Sequence, residues 1–451
     1  MHHCLTSSKS MPFLGLIAIG IGAMSMADDA SDTSGSSRMT HRQIHEVALR
    51  TAGVLNLEWL ADLPVVAIPA EKNAADPLLI SSASGILTVA AESRASGVST
   101  ILLTQSTDGG RTWDNPREVA RAGNGKRMTA GAGGALPSDR LVLAVHEWSE
   151  KSGEVTWTRE DLPGVHHYAW KGFHRTSELT VLISDDDGKT WESASVSGAS
   201  GPIAISAMAK VFSVGKTAWL VVYGPADRVE TDTALSGVGF MRSDDDGASW
   251  RFSHWLARPD RERGIAYGPG AVVVLPDGRW LGMLEGYLQG RGDYTKPRVC
   301  RTVSLDGGKN WSVPEVKIIG PATSLIILGD DRVMVGSMTN SAGVTFNVFA
   351  DAGESLLYQD HAWRGFRTHG GLHLVKRSNG AVLGAYTWKK MGGSQTEIHL
   401  QTLHSKALSE AGTGRLSRHP AARKPKWLWE MAEAYQVPDM TEAPSGLRMR
   451  T

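Results

Sequence analysis

Side chains able to bind a ligand or move a proton recur along this sequence, each close to a short apolar run. They are Glu92 and Arg94; His146, Glu147 and Trp148; Tyr223, Asp227 and Arg228; Glu285, Tyr287 and Arg298; and His369, Tyr386, Trp388 and Lys389. A carboxylate serves as a general base, and a phenol or imidazole as nucleophile, acid or proton shuttle. Glu285 is therefore the expected catalytic carboxylate, with Tyr287, His369 or Tyr386 as its partner; the competing reading pairs Glu285 with Arg298 or Arg263 in a salt bridge. Arg94, Arg175 and Arg298 suit two-pronged capture of a carboxylate or sulfate. Trp148 and Trp388 offer flat apolar faces, and Glu147 is a second carboxylate near them. His146, His166, His167 and His174 are loosely spaced and lack a fixed acidic partner, so no metal is assigned to them. Asp185-Asp186-Asp187 lacks the terminal Glu of a calcium loop. No cofactor is expected.

Such groups need elements that gather them. The motif Ser-x-Asp-x-Gly-x-x-Trp starts at Ser106, Ser184, Ser243 and Ser304, and a worn copy keeps only Asp351 and Gly353, with Leu356 in place of Trp. In this turn Ser and Asp side chains can bond local backbone N–H groups, Gly supplies the positive φ, and Trp covers the turn. A second pattern, strand–polar turn–strand, occurs around Gly85, Ser138-Asp139-Arg140, Gly215, Asp277-Gly278, Asp330-Asp331 and Asn379-Gly380. Repeats unable to bury both faces alone pack radially. The expected fold is all-β: a six-bladed β-propeller of four-stranded antiparallel blades, with short peripheral helices. The Ser-x-Asp turns occupy one end of each blade, so the reactive side chains collect at the other.

Ser106 and Ser184 lie 78 residues apart, because an insertion, 149–177, separates them. It carries Trp157, His166, His167, Tyr168, Trp170, His174 and Arg175. A structureless loop of that length is uncommon unless functional. It is expected to be a lid or subsite wall, or else an oligomer contact.

The four Ser-x-Asp turns (Asp boxes) on propeller repeats resemble the sialidase superfamily of BNR-repeat proteins, over roughly residues 65–404. Gly85–Arg94 followed by the first box is similar to that family's first blade. The resemblance implies the six-bladed fold, three arginines on a substrate carboxylate, a Tyr–Glu nucleophile pair and an Asp acid/base. Residue by residue the pocket departs from it. The family's first Arg-Ile-Pro falls on Ala67-Ile68-Pro69 or Ala75-Asp76-Pro77. No Asp occurs in Ala95–Thr100, the second arginine falls on Glu285, and the third falls near Thr339-Asn340. Only Glu92-x-Arg94 and Arg298 match.

The chain has 451 residues, with 47 Lys+Arg against 47 Asp+Glu, 41% hydrophobic residues, 50 Gly and 15 Trp. Balanced charge leaves no footprint for nucleic acid, and the apolar content excludes disorder. Met11–Ala27 reads as the apolar part and cleavage site of an export signal, which assigns 1–27 to a signal peptide and leaves no stable membrane span. Cleavage removes Cys4 and leaves Cys300 alone. Residues 28–63 are a linker with a helix suggested by Ile44, Val47, Ala48, Leu55 and Trp59. Residues 405–451 form a basic tail with a helix near Trp427–Tyr435. The expected protein is secreted or periplasmic and takes a glycan or polysaccharide as its partner. It is a glycoside hydrolase on an extracellular anionic glycan with a diverged pocket; the alternatives are a polysaccharide lyase or a glycan-binding propeller without turnover.

Overall fold

Short apolar strands separated by glycine-led turns fold back on one another as antiparallel runs. The computed structural model describes residues 59–405 apart from 62–63, 96, 153–154, 160–165, 171–172, 198–203, 206–208, 229–233, 261–264, 289–297, 320–323, 330–331, 340–342, 362–370 and 390–393. The first run is Ala74–Ser81, Leu87–Ser93, Thr100–Ser106 and Arg117–Arg121. The next two runs begin at Arg127–Ala135 and Ala209–Val214, and these two strands pair in parallel at Ala132↔Ala209 and Gly133↔Lys210. That pairing merges their runs into one ten-stranded sheet. Separate four-stranded sheets start at Ile265–Val274 and Ser324–Gly329. The last sheet comprises Leu372–Lys376, Val382–Lys389 and Thr396–Ser405. Taken in chain order, each opening strand lies against the next, and Leu372–Lys376 returns to Ala74–Ser81. The arrangement is all-β and propeller-like.

The last sheet borrows its outer edge from the start of the fold. Val65–Ile68 and Trp59–Ala61 both pair antiparallel with Thr396–Ser405, with Leu60 opposite His404. The helix suggested by Ile44, Val47, Ala48, Leu55 and Trp59 therefore does not extend to Trp59–Ala61, a strand where tertiary pairing overrides local periodicity; Ile44 to Leu55, and Trp427–Tyr435, lie outside the described residues. Among the described residues the helical turns are Ala70–Lys72 and Asp351–Gly353. No helix among them is long and apolar enough to cross a membrane.

The insertion is a ribbon, where the sequence reading allowed a structureless loop. Leu141–Ser152 pairs with Phe173–Ser184 along its whole length, and Val155–Arg159 pairs with His166–Trp170 beyond it. Alternating residues carried by two equal arms favour continuing the ladder over leaving backbone groups unpaired.

The repeated turn has one hydrogen-bond scheme. Ser106 Oγ donates to Asp108 Oδ1 (2.8 Å) and accepts from the Gly110 N–H (2.8 Å). Asp108 also accepts from the Thr112 N–H (3.0 Å) and hydroxyl (2.6 Å), and Trp113 Nε1 donates to the Gly110 carbonyl (3.2 Å). Asp186, Asp245 and Asp306 repeat it. The donors, led by the Thr190 hydroxyl for Asp186 and the Asn310 N–H for Asp306, hold those two carboxyls down at about 2. Gly110, Gly188, Gly247 and Gly308 take φ between 82° and 91°, which glycine alone adopts without strain.

Each turn is also gripped by its neighbour. Gln105 donates to the Asp187 carbonyl (2.6 Å), Arg140 to that of Asp246 (2.9 Å), and Arg301 to that of Ala352 (2.8 Å). Arg377 from the last sheet donates to the Gly109 carbonyl in the first (3.2 Å). Replacing Arg301 with Met should cost about 1–2 kcal/mol, since a partly buried charge-assisted bond is lost. The measurement is the urea midpoint, and an unchanged midpoint would show the latch to be decorative.

Candidate functional site

A cleft of about 340 Å³ opens where the first run meets the last sheet, lined by Asn73, Ala75, Asp76, Glu92, Arg94, Ser394 and Thr396. Its shape comes from an interruption in the opening strand. Ala75 pairs with Glu92, but the register slips before Leu78, leaving Asp76-Pro77 as a bulge. Pro cannot donate to a ladder, so a strand carrying one bulges or lies at an edge. Asp76 takes φ of 52°, a left-handed conformation that costs a non-glycine residue free energy. It is held there from the far end of the chain. Its N–H donates to Thr387 Oγ1 (3.0 Å), and its Oδ1 accepts from the Gly371 N–H (2.9 Å). A Cβ on Gly371 would stand 3.2 Å from Asp76 Cα, so a side chain there would crowd the bulge.

Burial pushes the Asp76 carboxyl up to about 6, and the charge of Glu92 pushes the same way; the Gly371 N–H and Arg94 oppose both. Glu92 itself is 1% exposed. It accepts two bonds from Arg94 (2.6 and 2.9 Å) and one from Ser99 Oγ (3.0 Å), with Arg127 Nε at 3.5 Å. Arg94 keeps 44% of its side chain exposed and faces the cleft. The cleft thus combines a carboxyl that titrates near neutrality with a guanidinium fixed by a buried carboxylate. That pair can pass a proton and hold an anion.

Of the residues expected from sequence, Arg94 lies in this cleft. Trp148 reaches the cluster indirectly, because the Arg127 guanidinium stacks 4.2 Å from its ring centroid. It is only 5% exposed and its Nε1 donates to Thr129 (3.3 Å), so it is not the open platform its type suggested. Glu147 accepts from the Gly123 N–H (2.7 Å) and lies 3.5 Å from Lys126, fastening the segment between the first two runs. Glu285 is buried on Trp280–Leu288 with Arg298 on the adjacent strand, and neither lines the cleft. The backbones of Tyr287 and Arg175 pair with Ala266 and Glu150; both side chains, and all of His369, lie outside the described residues.

Tyr386 and Trp388 do not line this cleft. Strand side chains alternate between faces, and these two face the core between the last two sheets. Tyr386 packs with Leu372, Met334 and Phe346, and Trp388 stacks on His399 at 5.0 Å. Burial raises the Tyr386 phenol above its ordinary range, so it stays neutral and weakly nucleophilic. Thr387 between them points the other way, toward Asp76. Asp76 and Arg127 were passed over. The signal for Asp76 was an Asp-Pro within a strand otherwise fit for the interior. Among the described residues no group of three or more His, Cys, Asp or Glu side chains could hold a metal ion.

No protein-family model matches the chain. A curated protein named sialidase from Bacteroides fragilis (strain YCH46) is 24% identical over 193 residues, covering 38% of this chain and 32% of that protein. The match therefore spans about a third of the relative's length. A solved structure of unknown function from Dyadobacter fermentans DSM 18053 superposes with TM-score 0.58 at 20% identity, covering 78% of this chain and 99% of that one. A leech intramolecular trans-sialidase gives 0.50 at 13% identity, covering 75% and 69%. A Penicillium chrysogenum α-L-arabinanase gives 0.50 at 14%, covering 78% and 99%. What these share with the chain is the fold, and that fold is a sialidase-like β-propeller.

Proposed function

From this fold and the Asp76 cleft, we propose that the chain is a glycoside hydrolase of sialidase-like type, acting on an anionic glycan through a pocket diverged from true sialidases. The observation that carries the reading is the buried carboxyl of Asp76, raised to about 6 beside Glu92 and Arg94. Protonated, Asp76 donates to the glycosidic oxygen as the bond to the leaving sugar breaks and water bonds to the anomeric carbon, the proton of that water passing to a second carboxylate acting as base. Arg94 pairs with the substrate's acidic group, and Glu92 positions Arg94. Glu285 is retained as the second carboxylate. It lies near the end of the second strand of its sheet, as Glu92 does in the first run. The number of blades is proposed as six, supported by the six opening strands that succeed one another around the ring. Export is proposed on the strength of Met11–Ala27.

The test is a panel of sialylated, uronic and sulfated glycans. New reducing ends without an unsaturated product support hydrolysis; an unsaturated product, or binding without turnover, overturns it. The ribbon springs from the cleft-side end of its strands and is proposed as a wall for the same glycan. Deleting 155–172 should weaken glycan affinity about tenfold in a folded protein, and unchanged affinity would remove it from the site.

Glu92→Gln gives a separate prediction. The substitution removes a charge that raises the Asp76 carboxyl, so the pH midpoint of kcat/KM should move down. It also loosens Arg94, and KM should rise about tenfold. A KM and midpoint that both stay put would show that Glu92 only braces the fold.

A further inference from the structure

The sequence holds two Asn-Gly pairs, Asn124-Gly125 between the first run and the second, and Asn379-Gly380 in the last sheet. Before a glycine, the next backbone nitrogen reaches the asparagine side-chain amide most easily, because no Cβ stands in the way. The two turns hold the reacting atoms differently. In the first, the Lys126 N–H donates to the Gly123 carbonyl (3.1 Å), so Asn124 and Gly125 are the central residues of the turn. Gly125 takes φ of 71°, a Cβ built on it would meet nothing within 4 Å, and both residues are exposed. Among the described residues, neither the Gly125 N–H nor the Asn124 side chain has a hydrogen-bond partner. In the second turn, the Gly380 N–H donates to the Arg377 carbonyl (2.9 Å), and Asn379 Oδ1 accepts from the Ala381 N–H (3.1 Å). There the attacking nitrogen and the amide it would attack are both tied down.

We propose that Asn124 is a self-modification site that slowly converts to aspartate and isoaspartate, while Asn379, in the same sequence pair, is protected by its turn. The Gly125 nitrogen gives its proton to solvent and bonds to the side-chain carbonyl carbon of Asn124. The amide nitrogen takes up a proton and leaves as ammonia, and a cyclic imide remains. Water then adds to one of the two imide carbonyls and opens the ring. Breaking the new bond leaves aspartate; breaking the original peptide bond leaves isoaspartate, with the chain running through the former side chain. Asparagine and water go in, ammonia and an acidic residue come out, and no oxidant or reductant takes part. The turn that changes is one that fastens the fold. The Gly123 N–H donates to Glu147 Oε1 (2.7 Å), and Lys126 Nζ lies 3.5 Å from the same carboxylate. Either product puts a new negative charge in the turn that holds Glu147, and like charges repel. Isoaspartate also lengthens the backbone just before Arg127, whose guanidinium stacks on Trp148 and lies 3.5 Å from Glu92.

The test incubates the folded full chain in mildly alkaline buffer and follows the two Asn-Gly peptides by mass spectrometry, with isoaspartyl-specific methylation marking the rearranged product. Asn124 should convert at least about tenfold faster than Asn379, because two hydrogen bonds must first break at Asn379. In chain held unfolded in guanidinium chloride neither turn exists, and the two sites should convert at similar rates. Equal rates in the folded chain, or faster conversion at Asn379, would overturn the proposal. So would a difference that survives unfolding, since flanking sequence and not the fold would then set the rates.

Discussion

Asp76→Asn should lower kcat/KM by about 10²–10⁴-fold while making the protein more stable at neutral pH. Both effects follow from one carboxyl. Asparagine keeps an oxygen for the Gly371 N–H and leaves the Asp76 N–H on Thr387, so the bulge survives. What disappears is the proton that titrates at about 6, against an ordinary 3.8. The activity of the unaltered protein should therefore fall as pH rises through about 6, and the variant should lack that limb. For stability the sign runs the other way from a salt-bridged aspartate. A raised folded value means that the folded state holds the proton more tightly than the unfolded one. Stability is then greatest below the unfolded value and is lost as pH climbs to about 6. The loss is on the order of 2–3 kcal/mol above that point, and the asparagine variant is spared it. Urea unfolding at about pH 4 and about pH 8 reads the difference: the gain should be present at the higher pH and absent at the lower. A variant that loses activity and also loses stability at the higher pH would mark Asp76 as a structural carboxylate.

Trp250→Ala should cost about 3–5 kcal/mol, the largest loss expected from a single side chain of the repeated turns. Trp250 is 1% exposed, donates to the Gly247 carbonyl at 2.9 Å, and belongs to the core that includes Phe240, Trp219 and Trp280. Trp311 occupies the same place in its own turn but is only half-buried, stacking on Phe240 at 5.9 Å. Its removal should cost at least about 1 kcal/mol less, because fewer contacts are lost and water enters more easily. Urea midpoints for the two variants give the comparison, and equal losses would show that the local turn bond, not packing, sets the cost.

These two residues also mark what the sequence could and could not disclose. The Ser-x-Asp-x-Gly-x-x-Trp turn was legible because all its internal hydrogen bonds close within eight residues, as Ser106, Asp108 and Trp113 show. The propeller followed from repetition of that turn. Asp76 was not legible, because its character comes from Gly371 and Thr387, which stand 295 and 311 residues away. The inward placement of Tyr386 and Trp388 was hidden for a related reason. Their position at the end of a strand was readable, but which face they take depends on a register that only the neighbouring sheets fix. Thr387, the plainest residue of the three, is the one that accepts from the Asp76 N–H. Glu92-Ser93-Arg94 stood out because carboxylate and guanidinium share one strand end and meet by local geometry.

The borrowed edge of the last sheet bears on how the protein comes into being. A growing chain carries Val65–Ile68 as an unmatched edge until Thr396–Ser405 has been made, so circularisation waits for nearly the whole of the described fold. Asp76 receives its two distant hydrogen bonds from that same late-arriving sheet. The Asp76 carboxyl thus takes on its raised character in the same event that closes the ring, and an incomplete translation product carries only an ordinary, solvated aspartate. Ring closure and the electrostatics of the cleft share one checkpoint.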